Sequence, residues 1–313
     1  MAIPDAVLLP YTSITRDRIG VRPPGHSLPD DTRLGRVTLQ IADLERSVAF
    51  YRDVIGFAVV ERGEVAHQRS ALLAAHGGDR VLVELRERPS ARPIPGHGRI
   101  GIYHFAILMP SRGDLGRFLK HATARGVHVG AADHFYSEAT YLVDPDGITV
   151  EVYRDRPRRE WLVSPDGELV GPSDRLDFGS VVREGGNAPY LGLPSGATLG
   201  HMHLYVGDLD RAQAFYHAAL GFSKVNWTFF PGMLFVSAGG YHHHVALNTF
   251  AAQWPAAGED DVKLLSWELI LPDAAAVEAT VDSLRRADVA VAHTDGGYVA
   301  QDPWGIRVRI GTG

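Results

Sequence analysis

The sequence repeats itself. RLGRVTLQIADLERSVAFYRDVIGF (33–57) aligns without a gap to TLGHMHLYVGDLDRAQAFYHAALGF (198–222). A fold for this chain must therefore use one structural unit at least twice. Each copy opens on alternating apolar residues, VTLQI or MHLYV, the period of a half-buried strand. Asp43 or Asp208 follows at a helix N-cap position, ahead of an amphipathic stretch. That stretch carries a Phe-Tyr pair, Phe50 and Tyr51 or Phe215 and Tyr216, whose spacing fits a buried stripe. Gly56 or Gly221 closes it in a C′ position.

A second kind of unit also occurs twice. YHFAILMPSRGDLGRFLKHATARGV (103–127) opens like LSWELILPDAAAVEATVDSLRRADV (265–289). The matching closing strands are YLVDPDGITVEVY (141–153) and YVAQDPWGIRVRI (298–310), whose DPDG and DPWG residues are those of tight turns. The chain thus reads as an α+β protein of four strand–helix–strands units, two per domain. The expected boundaries are an irregular arm over 1–32, a first domain over 33–155, a linker over 156–196 rich in Pro, Gly and charge, and a second domain over 197–313.

Composition narrows the function classes. A net charge of −6 gives no electrostatic case for nucleic acid, and no apolar run approaches the ~20 residues of a membrane span. The N-terminus lacks the basic region and cleavage site of a signal peptide, so a cytoplasmic location is expected. Zero cysteines exclude disulfides, thiolate metal sites and a cysteine nucleophile. The 15 histidines are the remaining source of chemistry, and three stand together in GGYHHHVALN (239–248). Read as a strand, this run puts His242 and His244 on one face and His243 on the other.

The paired openings ending in AFYRDVIGF and AFYHAALGF, with the DPDG strand ending, resemble the vicinal oxygen chelate superfamily. The resemblance implies βαβββ modules forming two domains with cupped mixed sheets. GHMHLYVGDL, YHHHVALN and YLVDPDGITVEVY look most like a two-domain extradiol dioxygenase of the catechol 2,3-cleaving kind. Superfamily ligands lie on the opening and closing strands of modules. Those positions hold Arg36 in the first unit, His104 and Glu151 in the second, His201 in the third, and Ser266 and Arg309 in the fourth. Neither domain alone has a complete set. Pairing the second unit with the third collects His104, Glu151 and His201, the two-His, one-carboxylate set associated with Fe(II), with Mn(II) as the alternative. Pairing the first with the fourth collects Arg36, Ser266 and Arg309, which cannot hold a cation.

By the same resemblance His243 is the acid–base residue, Tyr141 and His134 hydrogen-bond substrate or oxygen, and His203 lines the pocket beside substrate. An alternative strand register would turn His244 inward, as an additional ligand or beside substrate. Both diol oxygens and O2 would meet at the metal, and the ring bond beside the diol would break. The partners implied are a catecholic small molecule and O2, with no nucleic acid and no membrane; a homo-oligomer is compatible with the chain. A glyoxalase-type isomerase needs a second carboxylate ligand where the chain reads HHHVALN, and a non-catalytic binding protein would not need the metal set.

Overall fold

The computed structural model describes residues 8–13 and 18–313, so parts of the expected arm lie outside the described residues. After a two-residue strand β1 (Leu9–Pro10), the first module runs β2 (Arg33–Ile41), α1 (Leu44–Phe50), β3 (Ala58–Val65), β4 (Gln68–Ala74) and β5 (Val81–Glu87). The second runs β6 (Gly101–Leu108), α2 (Arg112–Ala124), β7 (Gly130–Asp133), β8 (Ser137–Val143) and β9 (Thr149–Asp155). The connection carries β10 (Leu162–Val163), β11 (Leu169–Val170) and α3 (Phe178–Glu184). The third module is β12 (Thr198–Tyr205), α4 (Leu209–Ala212), β13 (Ser223–Asn226), β14 (Met233–Ser237) and β15 (Val245–Asn248). The fourth is β16 (Lys263–Leu271), α5 (Ala274–Arg286), β17 (Val291–Thr294), β18 (Gly297–Gln301) and β19 (Arg307–Thr312). Each module is βαβββ.

Two eight-stranded sheets result, ordered β13-β14-β15-β12-β6-β9-β8-β7 and β17-β18-β19-β16-β2-β5-β4-β3. In the first, β12 and β6 pair antiparallel at the centre, and each runs parallel to the closing strand of its own module. One sheet therefore joins modules two and three, and the other joins modules one and four. The first sheet takes the middle of the chain, from β6 to β15, and the second joins its two ends.

Alternation sorts the side chains of the central strands. Phe105 and Ile107 of β6, Val150 and Val152 of β9, and Met202 and Leu204 of β12 belong to the large buried apolar core. The residues between them point into the cup. Asp43 and Asp208 cap α1 and α4, each accepting from a backbone N–H three residues on. Both helices then widen into a π-helical turn, over Tyr51–Ile55 and Gln213–Ala219, and Gly56 and Gly221 follow at φ 95° and 103°. The Phe-Tyr pairs face the core. Tyr51 stacks on Phe105 with ring centroids 6.3 Å apart, so the first module's helix packs on the sheet of the second. The Tyr51 hydroxyl donates to Asp144 at 3.0 Å and the Tyr216 hydroxyl to Asp302 at 2.8 Å. The Asp-Pro turns thus tie neighbouring modules together rather than serving the site.

The segment expected as a linker is folded and packed. β10 pairs with both β1 and β11, and Trp161 is fully buried with its indole N–H donating to Arg156 O at 2.9 Å. A Cβ on Gly116 of α2 would sit 2.2 Å from the Val181 carbonyl of α3, so only glycine permits this helix contact. Charge and Pro/Gly content made the segment read as a spacer, yet its few large apolar residues suffice to anchor it.

Candidate metal centre and cavity

His201 and His203 share a face of β12, His104 points from β6, and Glu151 points from β9. In the ladder His201 is opposite Ala106, and Ala106 is beside Glu151. The small Ala106 methyl leaves room above it for the longer side chains on either side. Nε2 of His104 and Nε2 of His201 each lie 3.1 Å from the same Glu151 oxygen, Oε2. Ligand atoms of the three residues fall within 4.8 Å of one another, and all three residues are buried.

The hydrogen-bond inventory tests whether this set fits a cation. Among the described residues, both ring nitrogens of His104 and Nδ1 of His201 have no hydrogen-bond partner. His104 Nε2 is near Glu151 but is not aligned to donate to it. Buried polar atoms are normally paired, so the unpaired His104 Nε2, meeting His201 Nε2 at one Glu151 oxygen, fits a cation held among the three. Burial pushes the His201 imidazole down to about 4, leaving a neutral ring with a lone pair at pH 7. Burial pulls the Glu151 carboxyl upward, but the neighbouring imidazoles of His201 and His104 outweigh it and hold it well below the usual range. Two neutral imidazoles and one carboxylate are a donor set for Fe(II) or Mn(II).

Above this floor lies a cavity of about 270 Å³, lined among others by Tyr103, Tyr136, Phe230, Met233, Phe235 and Ser173. It is small for a ligand pocket, near the lower end of the range of about 300–1,000 Å³. His134, Tyr141, His203 and His243 also line it. Tyr141 lies opposite Glu151 in the β8–β9 ladder, and its hydroxyl is 2.8 Å from His134 Nε2. The Pro172 carbonyl can only accept, so His134 carries its proton on Nδ1, 3.3 Å from that oxygen. Nε2 is then the acceptor and the Tyr141 hydroxyl donates to it. Burial and the Glu151 charge raise the Tyr141 hydroxyl well above its ordinary value, so it stays a donor. His203 Nε2 accepts from the Asn248 amide at 2.8 Å, and that amide is oriented by its oxygen accepting from Phe250 N.

The three histidines do not lie in a strand. Gly239 and Gly240, at φ 61° and 62°, turn the chain, and β15 begins only at Val245. Period-two alternation therefore does not govern them. His242 does not turn away from His243: the two Nδ1 atoms are 2.8 Å apart. His244 is the one that leaves. Its Nδ1 lies 2.9 Å from Ser237 Oγ and its ring stacks on Phe222, away from the cavity above Glu151. The placement of His244 beside substrate is thus corrected, because the glycine turn rotates it behind the sheet.

The sister sheet has the same positions with different residues. Register puts Arg36, Ser266 and Arg309 where His201, His104 and Glu151 stand. Arg36 makes ion pairs with Glu84 at 3.4 Å and Glu268 at 2.9 Å, so an internal cation occupies this cup. Arg36→Ala and Ser266→Ala are expected to leave metal content unchanged. Metal analysis showing two equivalents bound to the native protein would contradict this.

Paired βαβββ modules around a cup floored by two histidines and a glutamate define the chain's class, and its sequence agrees. Residues 33–152 and 198–310 match the Glyoxalase/Bleomycin resistance protein/Dioxygenase superfamily, and the chain belongs to it. It is 38% identical over 278 residues to catechol-2,3-dioxygenase of Bacillus subtilis (strain 168), covering 88% of this chain and 96% of that one. It is a catechol-2,3-dioxygenase-like enzyme. Among solved structures, a putative dioxygenase from Bacillus subtilis superposes with TM-score 0.62 at 13% identity, over 92% of this chain and 86% of that one. Glyoxalase I from Zea mays gives TM-score 0.52 at 16% identity, over 90% and 92%. At such identities these two show the shared fold alone. No helix among the described residues is long and apolar enough to cross a membrane.

Sequence reasoning did not reach the cavity's apolar wall. Phe230 lies in the loop after β13, where no periodicity marks it. Nor did it reach Asp155, which stands 2.9 Å from His242 Nε2 across 87 residues of sequence.

Proposed function

We propose that the protein is an Fe(II)-dependent extradiol dioxygenase that cleaves a catechol or substituted catechol and inserts both atoms of O2. The observation that carries this reading is the meeting of His104, Glu151 and His201 under a cavity that His243 also lines. His104, Glu151 and His201 would hold the metal, with Mn(II) suited to the same donors. Iron bound there would supply a Lewis-acidic, redox-active centre with positions left open for a diol and for O2.

The chain's own groups supply the rest. The aromatic wall of Phe230, Phe235 and Tyr136 receives an aromatic ring with its two hydroxyls toward the floor. His243 lies over His201, ring centroids 4.2 Å apart, placed to take a proton from a diol hydroxyl and later return one. Burial, and then the surrounding imidazoles, push His243 well below its ordinary value, so its ring is neutral before substrate enters. The His134–Tyr141 pair presents fixed polar groups at the opposite wall. The relative at 38% identity supports the substrate class. β15 offers no carboxylate for the fourth ligand of a glyoxalase-type site, which favours ring cleavage over isomerisation.

Oxygen stoichiometry tests this. Mixing Fe(II)-loaded enzyme with catechol anaerobically should give binding without turnover. Admitting air should consume O2 and catechol in equal amounts and produce the semialdehyde chromophore. An oxygen electrode that records no uptake across a broad catechol panel, with iron confirmed in the protein, would refute the proposal.

A further inference from the structure

Behind His243 runs a file of hydrogen bonds that fixes which nitrogen carries its proton. Asp155 Oδ1, at the end of β9, lies 2.9 Å from His242 Nε2. The Tyr241 hydroxyl donates to the same oxygen at 3.2 Å, and Tyr153 and Tyr241 hydroxyls are 2.6 Å apart. An ionised carboxylate only accepts, so His242 carries a proton on Nε2. With that proton as the ring's single one, His242 offers Nδ1 as an acceptor. His243 Nδ1, 2.8 Å away, must supply the proton of that bond. The remaining nitrogen of His243, Nε2, is left with a lone pair on a ring that lines the cavity.

Packing makes the arrangement rigid. His242 is fully buried, and Tyr136 stacks on it at 4.5 Å with the rings 11° apart. Tyr241 covers it at 4.1 Å and the Trp161 edge closes it at 5.4 Å. A ring held on so many sides cannot turn over to exchange its nitrogens. The segment between the sequence repeats thus contributes Trp161 to the support of the site.

We infer that Asp155 and His242 are positioning residues, which hold His243 as the Nδ1–H tautomer with Nε2 facing the cavity as the proton acceptor. The inference rests on the proposed function for its catalytic meaning, but the tautomer is a property of the chain itself. The step it serves balances simply: a diol O–H bond breaks, its proton joins Nε2, and the electron pair stays on the substrate oxygen. Neither Asp155 nor His242 touches the substrate.

The test reads the tautomer and the kinetics separately. ¹⁵N-histidine spectra of the full chain, metal-free and loaded with diamagnetic Zn(II), should include an Nδ1-protonated ring whose Nε2 accepts no hydrogen bond, distinct from the Nδ1–H rings of His134 and His203. That signal should vanish in His243→Ala. In Asp155→Asn the amide can donate to His242 Nε2 and reverse both tautomers, so the His243 signal should change to the Nε2–H form or to exchange between the two. With Fe(II), Asp155→Asn and His242→Gln should lower kcat about 10- to 100-fold with KM and iron content held. Asp155→Glu, which keeps a carboxylate, should keep the native tautomer and recover part of kcat. A native His243 protonated at Nε2 would overturn the inference, as would an Asp155→Asn variant with unaltered spectrum and kcat. Should the native enzyme lack dioxygenase activity while the tautomer is as stated, the proposed reaction fails and the positioning stands.

Discussion

Glu151→Ala, His104→Ala and His201→Ala are each expected to strip the metal and abolish turnover while the fold survives. The three ligand atoms lie within 4.8 Å of one another and converge from three adjacent strands, so loss of any one opens the set. The backbone ladder of β6, β9 and β12 does not depend on these side chains, so circular dichroism should be unchanged. Glu151→Ala also removes the only negative charge of the set and should have the largest effect. Metal analysis after anaerobic loading and desalting reads the outcome. Stoichiometric iron in Glu151→Ala would place the metal elsewhere. The same geometry predicts that a fragment ending at residue 155 binds no iron, because His201 enters only with the third module.

His243→Ala should behave differently: iron retained, turnover lowered on the order of 10²–10⁴-fold, the range for removing a general acid–base. The ring lies over His201, but its Nδ1 is engaged by His242, so it is set to move protons rather than to ligate. His244→Ala should keep most activity, since its ring packs on Phe222 behind the sheet. Paired measurements of iron content and kcat decide the point. If His244→Ala, and not His243→Ala, gave the iron-loaded inactive protein, the assignment within the histidine run would be wrong.

Much of the architecture was legible in the chain because it is written in local periods. Alternating VTLQI and MHLYV, the aspartate caps and the closing glycines mark two modules, and the second kind of unit, also present twice, marks the other two. The same alternation puts His201 and His203 on one face, a relation that the structure keeps. Where the period ended, the reading failed. The strand expected through YHHHVALN was broken by Gly239 and Gly240, whose positive φ angles delay it to Val245 and bring His242 beside His243, while His244 stays behind the sheet as the alternating reading had it. The connecting segment misled for a related reason: its composition is that of a spacer, and single large residues such as Trp161 and Val181 leave no periodic signal.

The sequence by itself determined the modules, their internal strand faces and the residue types able to bind a metal, because these follow from short-range geometry along one chain. It also showed that neither expected domain holds a full ligand set. The ligand sets pointed to module two pairing with module three and module one with module four, and the tertiary structure makes those pairings by joining β12 to β6 and β16 to β2. That choice is made by backbone edges meeting in space, where any strand's N–H and C=O groups can pair with any other's. Only the tertiary structure decided the file from Asp155 through His242 to His243. Its members come from different modules, and the hydrogen bonds that give them meaning exist only once β9 and the turn before β15 are brought together.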